Sequence, residues 1–436
     1  MTYTIILIVI LFLGLFAFRE WFSSKTVPKK TIEELQNKVS QIIALGDWES
    51  ASKELKFLQD RKVGGLKTDL LQIQILRGTD RQLEALEAID NALLNYPNHL
   101  TLHKERGKLL LEQNKAEEAL EILKQTEPIF RDEQDFLDLA TAYFQTNQTK
   151  LAFKQLQPLL TDTKNGRVLA LAGDCYFQWS QYDQSVAHYQ KAQETGWNNY
   201  HVLSRLAHCY LYTKKLDEAE YLFCKILEKD PYDISSTLGY GTCLEAKGNY
   251  KQALRVYQDG KAWNQGDATV LRQAGICTVY IEQYHFAEIY LTEALKRGAQ
   301  SPQAVAFLGF SLEKQQRWPE AEKIYLKLVT DYPNHVAGYR ALAWLYGVGL
   351  STTLTREDGL KMAHQALTLL PEPASWEVLS ACEARAGNFD TAHNIQERLS
   401  THSDDEITKV RRRRAMRTLR KKIPLDENQV NRALVA

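Results

Sequence analysis

Cys175, Cys209, Cys243 and Cys277 follow one another at intervals of 34 residues. Thiols in such register could form disulfides, hold a row of metal ions, or serve as small buried hydrophobes. A disulfide requires Cα atoms within about 7 Å, whereas equivalent places on stacked helix pairs lie on the order of 10 Å apart. Reduced thiols packed as hydrophobes are therefore expected, in keeping with a reducing compartment. The ten histidines offer no i, i+4 pair joined to a third ligand, so no metal site is read and no cofactor is called for. The G-x-x-x-x-G-K-[ST] loop, the H-E-x-x-H pair and the G-x-S-x-G elbow are missing from the sequence, which removes the local signatures of nucleotide, zinc and acyl-transfer sites. No catalytic residue is assigned, and the chain is not expected to be an enzyme. Asn147-Gln148-Thr149 spells a glycosylation sequon, but a cytoplasmic body, which the charges near the N-terminus favour, would never meet the transferase.

The 54 basic and 54 acidic residues cancel, giving no global reason to bind nucleic acid or an anionic surface. Nine basic and no acidic residues lie between Ile407 and Lys422, which leaves the remainder mildly acidic. Arg411, Arg412, Arg413, Arg414, Arg417, Arg420, Lys421 and Lys422 would suit an anionic lipid surface at about 1 kcal/mol per charge. A solvated helix that caps the fold is the alternative. Nucleic acid is disfavoured as a partner, because no aromatic side chain is interleaved for base stacking.

Residues 1–18 carry no charge, and Ile5 to Phe18 is an almost unbroken apolar run. Eighteen helical residues span about 27 Å, close to the hydrocarbon thickness of a bilayer. One short transmembrane anchor is expected over residues 1–22, with a short basic linker over 23–31. The run has no basic start and no small-residue cleavage site, unlike a cleaved signal peptide. Arg19, Lys25, Lys29 and Lys30 come directly after it, so the positive-inside rule puts the body of the chain in the cytoplasm, with the bacterial inner membrane as the expected location. A periplasmic or secreted adaptor released by signal cleavage is the alternative.

Positioning these groups falls to residues 32–406, where the sequence repeats itself. Ala207, Tyr210, Ala219 and Phe223 recur 34 residues later as Gly241, Leu244, Ala253 and Tyr257. The template continues through Gly275 and Ala287, then Gly309, Ala321, Tyr325 and Pro333, and upstream through Gly173, Ala140, Gly107, Ala85 and Ala51. Repeats start near Ile32, Leu66, Leu100, Glu133, Gly166, Tyr200, Ile234, Ala268, Pro302, Val336 and Pro373, eleven in all, the tenth lengthened around Gly347 to Leu354. Each reads as two antiparallel helices, with small residues where they approach and large ones between neighbouring pairs. Gly46, Gly248 and Gly387 fall at the turn between helices, and Pro97, Pro231, Pro333 and Pro371 where the second helix ends. Cys175, Cys209, Cys243, Cys277 and Cys382 all take the tenth place of their repeat.

In this pattern the chain resembles the tetratricopeptide-repeat family over residues 32 to 406. The resemblance implies an all-α, right-handed solenoid of eleven helix pairs, followed by a basic C-terminal helix and tail over 407–436. It further implies that first helices line a partner groove through the second, fifth, ninth, twelfth and thirteenth places. Those places hold the aromatics Phe144, Phe177, Tyr212, Tyr280, Phe310 and Trp344. Interleaved with them are Lys104, Lys108, Arg167, His201, His208, Arg272 and Arg340. Aromatic anchors among cations would suit a protein or peptide partner with acidic residues, some of the aromatics packing inside the solenoid instead. Lys104 matches the lysine of the carboxylate clamp found in chaperone-binding members, but Lys108 stands where asparagine is expected. The expected function is a membrane-tethered scaffold or adaptor that organises an assembly at the cytoplasmic face. An organellar import receptor-like protein is the remaining alternative.

Overall fold

The computed structural model describes residues 29–431 apart from 62, 131, 162, 264–265 and 402–405. The anchor expected over residues 1–22 lies outside the described residues. Among those described, no helix is long and apolar enough to cross a membrane.

The described chain is an all-α helical-repeat solenoid of twenty-three α-helices and one 3-10 turn, without a strand among the described residues. It divides into two compact units, the first ending at Trp197. The first unit holds α1 (Lys29–Ala44), α2 (Trp48–Asp60), α3 (Leu66–Gly78), α4 (Gln82–Asn95), α5 (Leu100–Glu112), α6 (Ala116–Thr126), α7 (Glu133–Gln145), α8 (Thr149–Leu156), α9 (Gly166–Gln178) and α10 (Tyr182–Glu194). The second opens with α11 (Tyr200–Tyr212), α12 (Leu216–Lys229), α13 (Ile234–Ala246), α14 (Tyr250–Trp263), α15 (Ala268–Tyr280) and α16 (Tyr284–Lys296). It continues with α17 (Pro302–Lys314), α18 (Trp318–Asp331), α19 (Val336–Val348), α20 (Arg356–Leu369), α21 (Pro373–Arg385), α22 (Phe389–Ser400) and α23 (Glu406–Arg420). Lys29 and Lys30 are already helical and so overlap the linker read over 23–31.

Local sequence starts many of the first helices. Asp132, Asn165, Asn199, Asp233 and Asp267 each accept a hydrogen bond from a backbone N–H of the first turn, satisfying donors the helix leaves open. Thr355 and Asp358 form a reciprocal capping box at the start of α20. The apolar stripes then pair. A Cβ added to Gly241 would lie 2.1 Å from the ring of Tyr257, and one on Gly309 would lie 2.5 Å from Tyr325. Each glycine is thus the socket for a tyrosine sixteen residues on, and both rings are buried. Ala219, Ala253, Ala287 and Ala321 are completely buried on the second helices, where one extra methylene would cost about 1–3 kcal/mol in strain.

The cysteines at the tenth place, Cys175, Cys209, Cys243, Cys277 and Cys382, are buried, while Cys224 on α12 is half-buried. Burial pushes the Cys175 thiol up to about 12 and that of Cys243 up to about 11, which suppresses the reactive thiolate.

Two irregular features close the second unit. The lengthened connection between α19 and α20 is gathered by Glu322, whose carboxylate accepts from Ser351 Oγ at 2.8 Å, Thr352 N at 2.9 Å and Thr353 Oγ1 at 2.6 Å. The basic run forms α23, which packs on α22 through Ala415 and Leu419. Arg412 is 3 % exposed and donates to Glu377 at 3.1 Å and to the Leu399 carbonyl at 2.7 Å. Arg411 reaches the same carboxylate at 3.0 Å. The expectation that all eight tail cations could face lipid is thereby corrected: Arg412 lies inside and Arg411 is half-buried against Glu377, because a buried carboxylate demands a cation. Arg413, Arg414, Arg417, Arg420, Lys421 and Lys422 are exposed.

Candidate partner-binding face

The face defined by the expected groove places has a different character in each compact unit. In the first, α5 and α7 carry a mixed-charge cluster. Asp135 is wholly buried, and its two carboxylate oxygens take Lys104 at 3.0 Å and Lys108 at 2.8 Å. Lys108 also lies 3.8 Å from Asp138, and Arg77 from α3 pairs with Glu105 and Glu112. Burial pushes Asp138 up to about 6, against the opposing pull of Lys108. Lys104 and Lys108, expected to await a partner, are therefore committed to holding α5 to α7. Arg167 is exposed, with Gln134 at 3.4 Å, and Phe144 and Phe177 are half-buried, the latter edge-on to Tyr182 at 5.6 Å.

In the second unit several expected groove residues are presented. Tyr212 and Tyr280 are 53 % and 49 % exposed. Tyr280 stacks on Tyr250 with ring centroids 4.3 Å apart and planes 8° from parallel, which fixes its ring without covering it. His201 is exposed. His208 is held between Ser235 at 3.1 Å and the ring of Phe223 at 5.0 Å. Burial, with Arg205 nearby, lowers its pKa, so the ring is neutral at pH 7. Arg272 is half-buried and pairs with no carboxylate among the described residues.

Phe310, Arg340 and Trp344 are corrected as exposed groove residues. Phe310 and Trp344 are 7 % and 6 % exposed. Arg340 is 3 % exposed and donates to Ser375 and Glu372, each at 2.9 Å. The fifth place points at the third place of the next repeat. Gln36 bonds Thr68 at 3.0 Å, Lys104 bonds Asp135, and Arg340 bonds Ser375 by this one rule. Where the fifth place is apolar, so is its counterpart, as in Leu70 with Leu102 and Leu238 with Val270. Arg272 breaks the rule, since its counterpart is the buried Ala304. That pairing is legible in the sequence and separates the pins from the one fifth-place cation that has no polar counterpart. Reading each repeat alone missed it, and with it the pinning carboxylate Asp135; Glu377, which pins α23, lies outside the rule and was missed as well.

Among the described residues no cluster of His, Cys, Asp and Glu could hold a metal ion. Residues 71–133 match the tetratricopeptide-repeat family. The tetratricopeptide-repeat reading is supported. Residues 133–340 match the coatomer epsilon subunit family, a little under half of the chain. No curated protein sequence matches the chain. Among solved structures, the APC/C hetero-tetramer Cut9-Hcn1 is similar at 13 % identity and a TM-score of 0.44, covering 91 % of each chain. Yeast Tom70 is similar at 15 % identity and 0.38, covering 90 % of this chain and 96 % of its own. YrrB, a TPR protein with an unusual peptide-binding site, is similar at 18 % identity and 0.32, covering 50 % of this chain and 97 % of its own.

Proposed function

We propose that this protein is a scaffold that holds protein or peptide partners on the first-helix face of its second compact unit and is tethered to a membrane by residues 1–22. One observation carries the binding role. The rings of Tyr212 and Tyr280 are half exposed at groove places, that of Tyr280 braced on Tyr250 of the preceding repeat, and Arg272 stands at a groove place without a carboxylate partner among the described residues. Exposed aromatics and an unpaired cation at groove places of one unit have the composition of a binding hot spot. The tether is supported by the uncharged run of residues 1–18 and the cations directly after it, which also favour a cytoplasmic body at a bacterial inner membrane. The exposed Arg413, Arg414 and Arg417 of α23 would add attraction to anionic lipid there.

A photocrosslinking residue placed at Tyr212 or Tyr280 in the full chain should yield adducts in intact membranes, and Arg272→Ala should reduce them several-fold, as expected for loss of about 1–3 kcal/mol. The control site is Tyr221, 64 % exposed on the second helix α12. Equal adduct formation from Tyr221 would defeat the assignment of the face. Removal of residues 1–24 should move the protein out of the membrane fraction, and its retention there would defeat the tether.

A further inference from the structure

The first-helix face at the end of the second unit is already covered by a piece of the chain itself. After α23 the polypeptide turns at Lys421 and Lys422 and runs through residues 423–431 without forming a helix. Leu425 and Val430 are 1 % and 5 % exposed, and they join the buried cluster that contains Trp344, Leu345, Val378 and Ala381. The Asn431 N–H donates to Glu377 at 2.8 Å. Phe310 and Trp344, the ninth places of two successive first helices, form one wall of a cleft of about 450 Å³ whose other wall is Glu427, Val430 and Asn431.

We propose that the surface under residues 423–431, built on Phe310, Trp344 and Glu377, is a peptide-binding site whose resident ligand is the chain's own C-terminal segment. This inference rests on the scaffold reading and extends it to a second, self-occupied part of the same face. Three features separate the segment from the fold it covers. It is irregular where the elements around it are helices. It is fastened by two apolar side chains spaced five residues apart and a main-chain N–H facing a carboxylate, which is how an extended peptide is gripped. It leaves open space against Phe310 and Trp344, whereas the interior of a domain is close-packed. The partner that fits is an extended segment of the same chemistry: two apolar residues five apart, with a free N–H after the second. Such a partner must displace a tethered competitor present at an effective concentration on the order of mM. The tail is therefore a threshold on binding, and Glu377 links that threshold to the seating of Arg411 and Arg412.

Two measurements on the full chain test this. Hydrogen exchange of the unaltered protein should show the amides of residues 425–431 exchanging at least about 100-fold faster than those of Val378 to Cys382 beneath them, as for a segment that opens locally. Exchange of both at one rate would make the tail part of the core and overturn the proposal. A fluorescent peptide of residues 421–431 should then bind the Leu425→Asp, Val430→Asp double variant at least about tenfold more tightly than the unaltered chain. Adding Phe310→Ala should remove that gain. No gain in the double variant, or a gain that survives Phe310→Ala, would overturn the proposal. If crosslinks from Tyr212 and Tyr280 persist in that event, the scaffold reading stands without it.

Discussion

Asp138 and Glu322 are both buried carboxylates, one in each compact unit, and their neighbours treat them differently. Burial pushes both upward. Asp138 stays raised, to about 6, because its nearest cation, Lys108, stands 3.8 Å away and is committed to Asp135 at 2.8 Å, and the single amide donor Gln134, at 2.5 Å, does not offset the burial. Glu322 ends below its ordinary value, since hydrogen bonds from Thr353, Thr352 and Ser351 outweigh the burial. Several direct donors aimed at a carboxylate stabilise its charge more than one amide and a cation that has another partner. The first unit therefore holds its charges under tension, and the second holds a loop by satisfying one charge fully.

The strongest way to break that comparison is Asp135→Ala. It would leave Lys104 and Lys108 desolvated without their shared carboxylate, and removing one partner of a buried ion pair costs about 3–5 kcal/mol. Denaturant unfolding should show a loss of that size, with the crosslinks from Tyr212 and Tyr280 retained. A loss below about 1 kcal/mol would mean that the two lysines find water instead, restoring them as groove cations.

Acid sharpens the contrast because the two carboxylates act with opposite sign. Asp138 binds its proton more tightly in the folded state than in the unfolded one. Its contribution to stability is therefore full below about pH 4 and falls by about 2–3 kcal/mol as pH rises to about 6. Asp138→Asn should flatten that part of the pH profile and raise stability at pH 7. Glu322 is held below its ordinary value, so its contribution is present above about pH 4.3 and is lost as pH falls through the folded value. Glu322→Gln should remove that acid-sensitive component and lower stability at pH 7. Parallel profiles for the two variants would refute the distinction.

What the sequence discloses divides along the same line. The 34-residue period and the Gly241 with Tyr257 and Gly309 with Tyr325 sockets are written in residue size, so the helix pairs can be read from one chain. The roles of Lys104, Arg340 and Trp344 are not, because each depends on a neighbour in the next repeat. Reading the fifth place against the third place of the next repeat recovers the first two. The docking of α23 was hidden by its charge, although Arg412, Ala415 and Leu419 recur at the i, i+3, i+7 spacing of a buried stripe. The tail over Phe310 has no periodic signal at all, since an irregular segment writes none.

The turn between the paired helices yields the smallest effect. Its left-handed residue is glycine at Gly46, Gly248 and Gly387, and these marked the turn in the sequence. Lys214, Glu282 and Gln316 hold the same conformation at φ 60°, 64° and 60°, so the turn is imposed there by the packing of the two helices against the residue's own preference. A left-handed residue with a Cβ is strained by roughly 1–2 kcal/mol, while glycine loses about 0.5–1 kcal/mol of that advantage through the freedom it gains in the unfolded chain. Glu282→Gly should therefore stabilise the second unit by about 0.5–1 kcal/mol, read as a higher denaturant midpoint with an unchanged slope. Its side chain is exposed and supplies no cap to α16, so nothing else of consequence is removed. A lower midpoint would show that the turn between α15 and α16 is not strained, and that its glycine counterparts at Gly46, Gly248 and Gly387 are there for a reason other than backbone conformation.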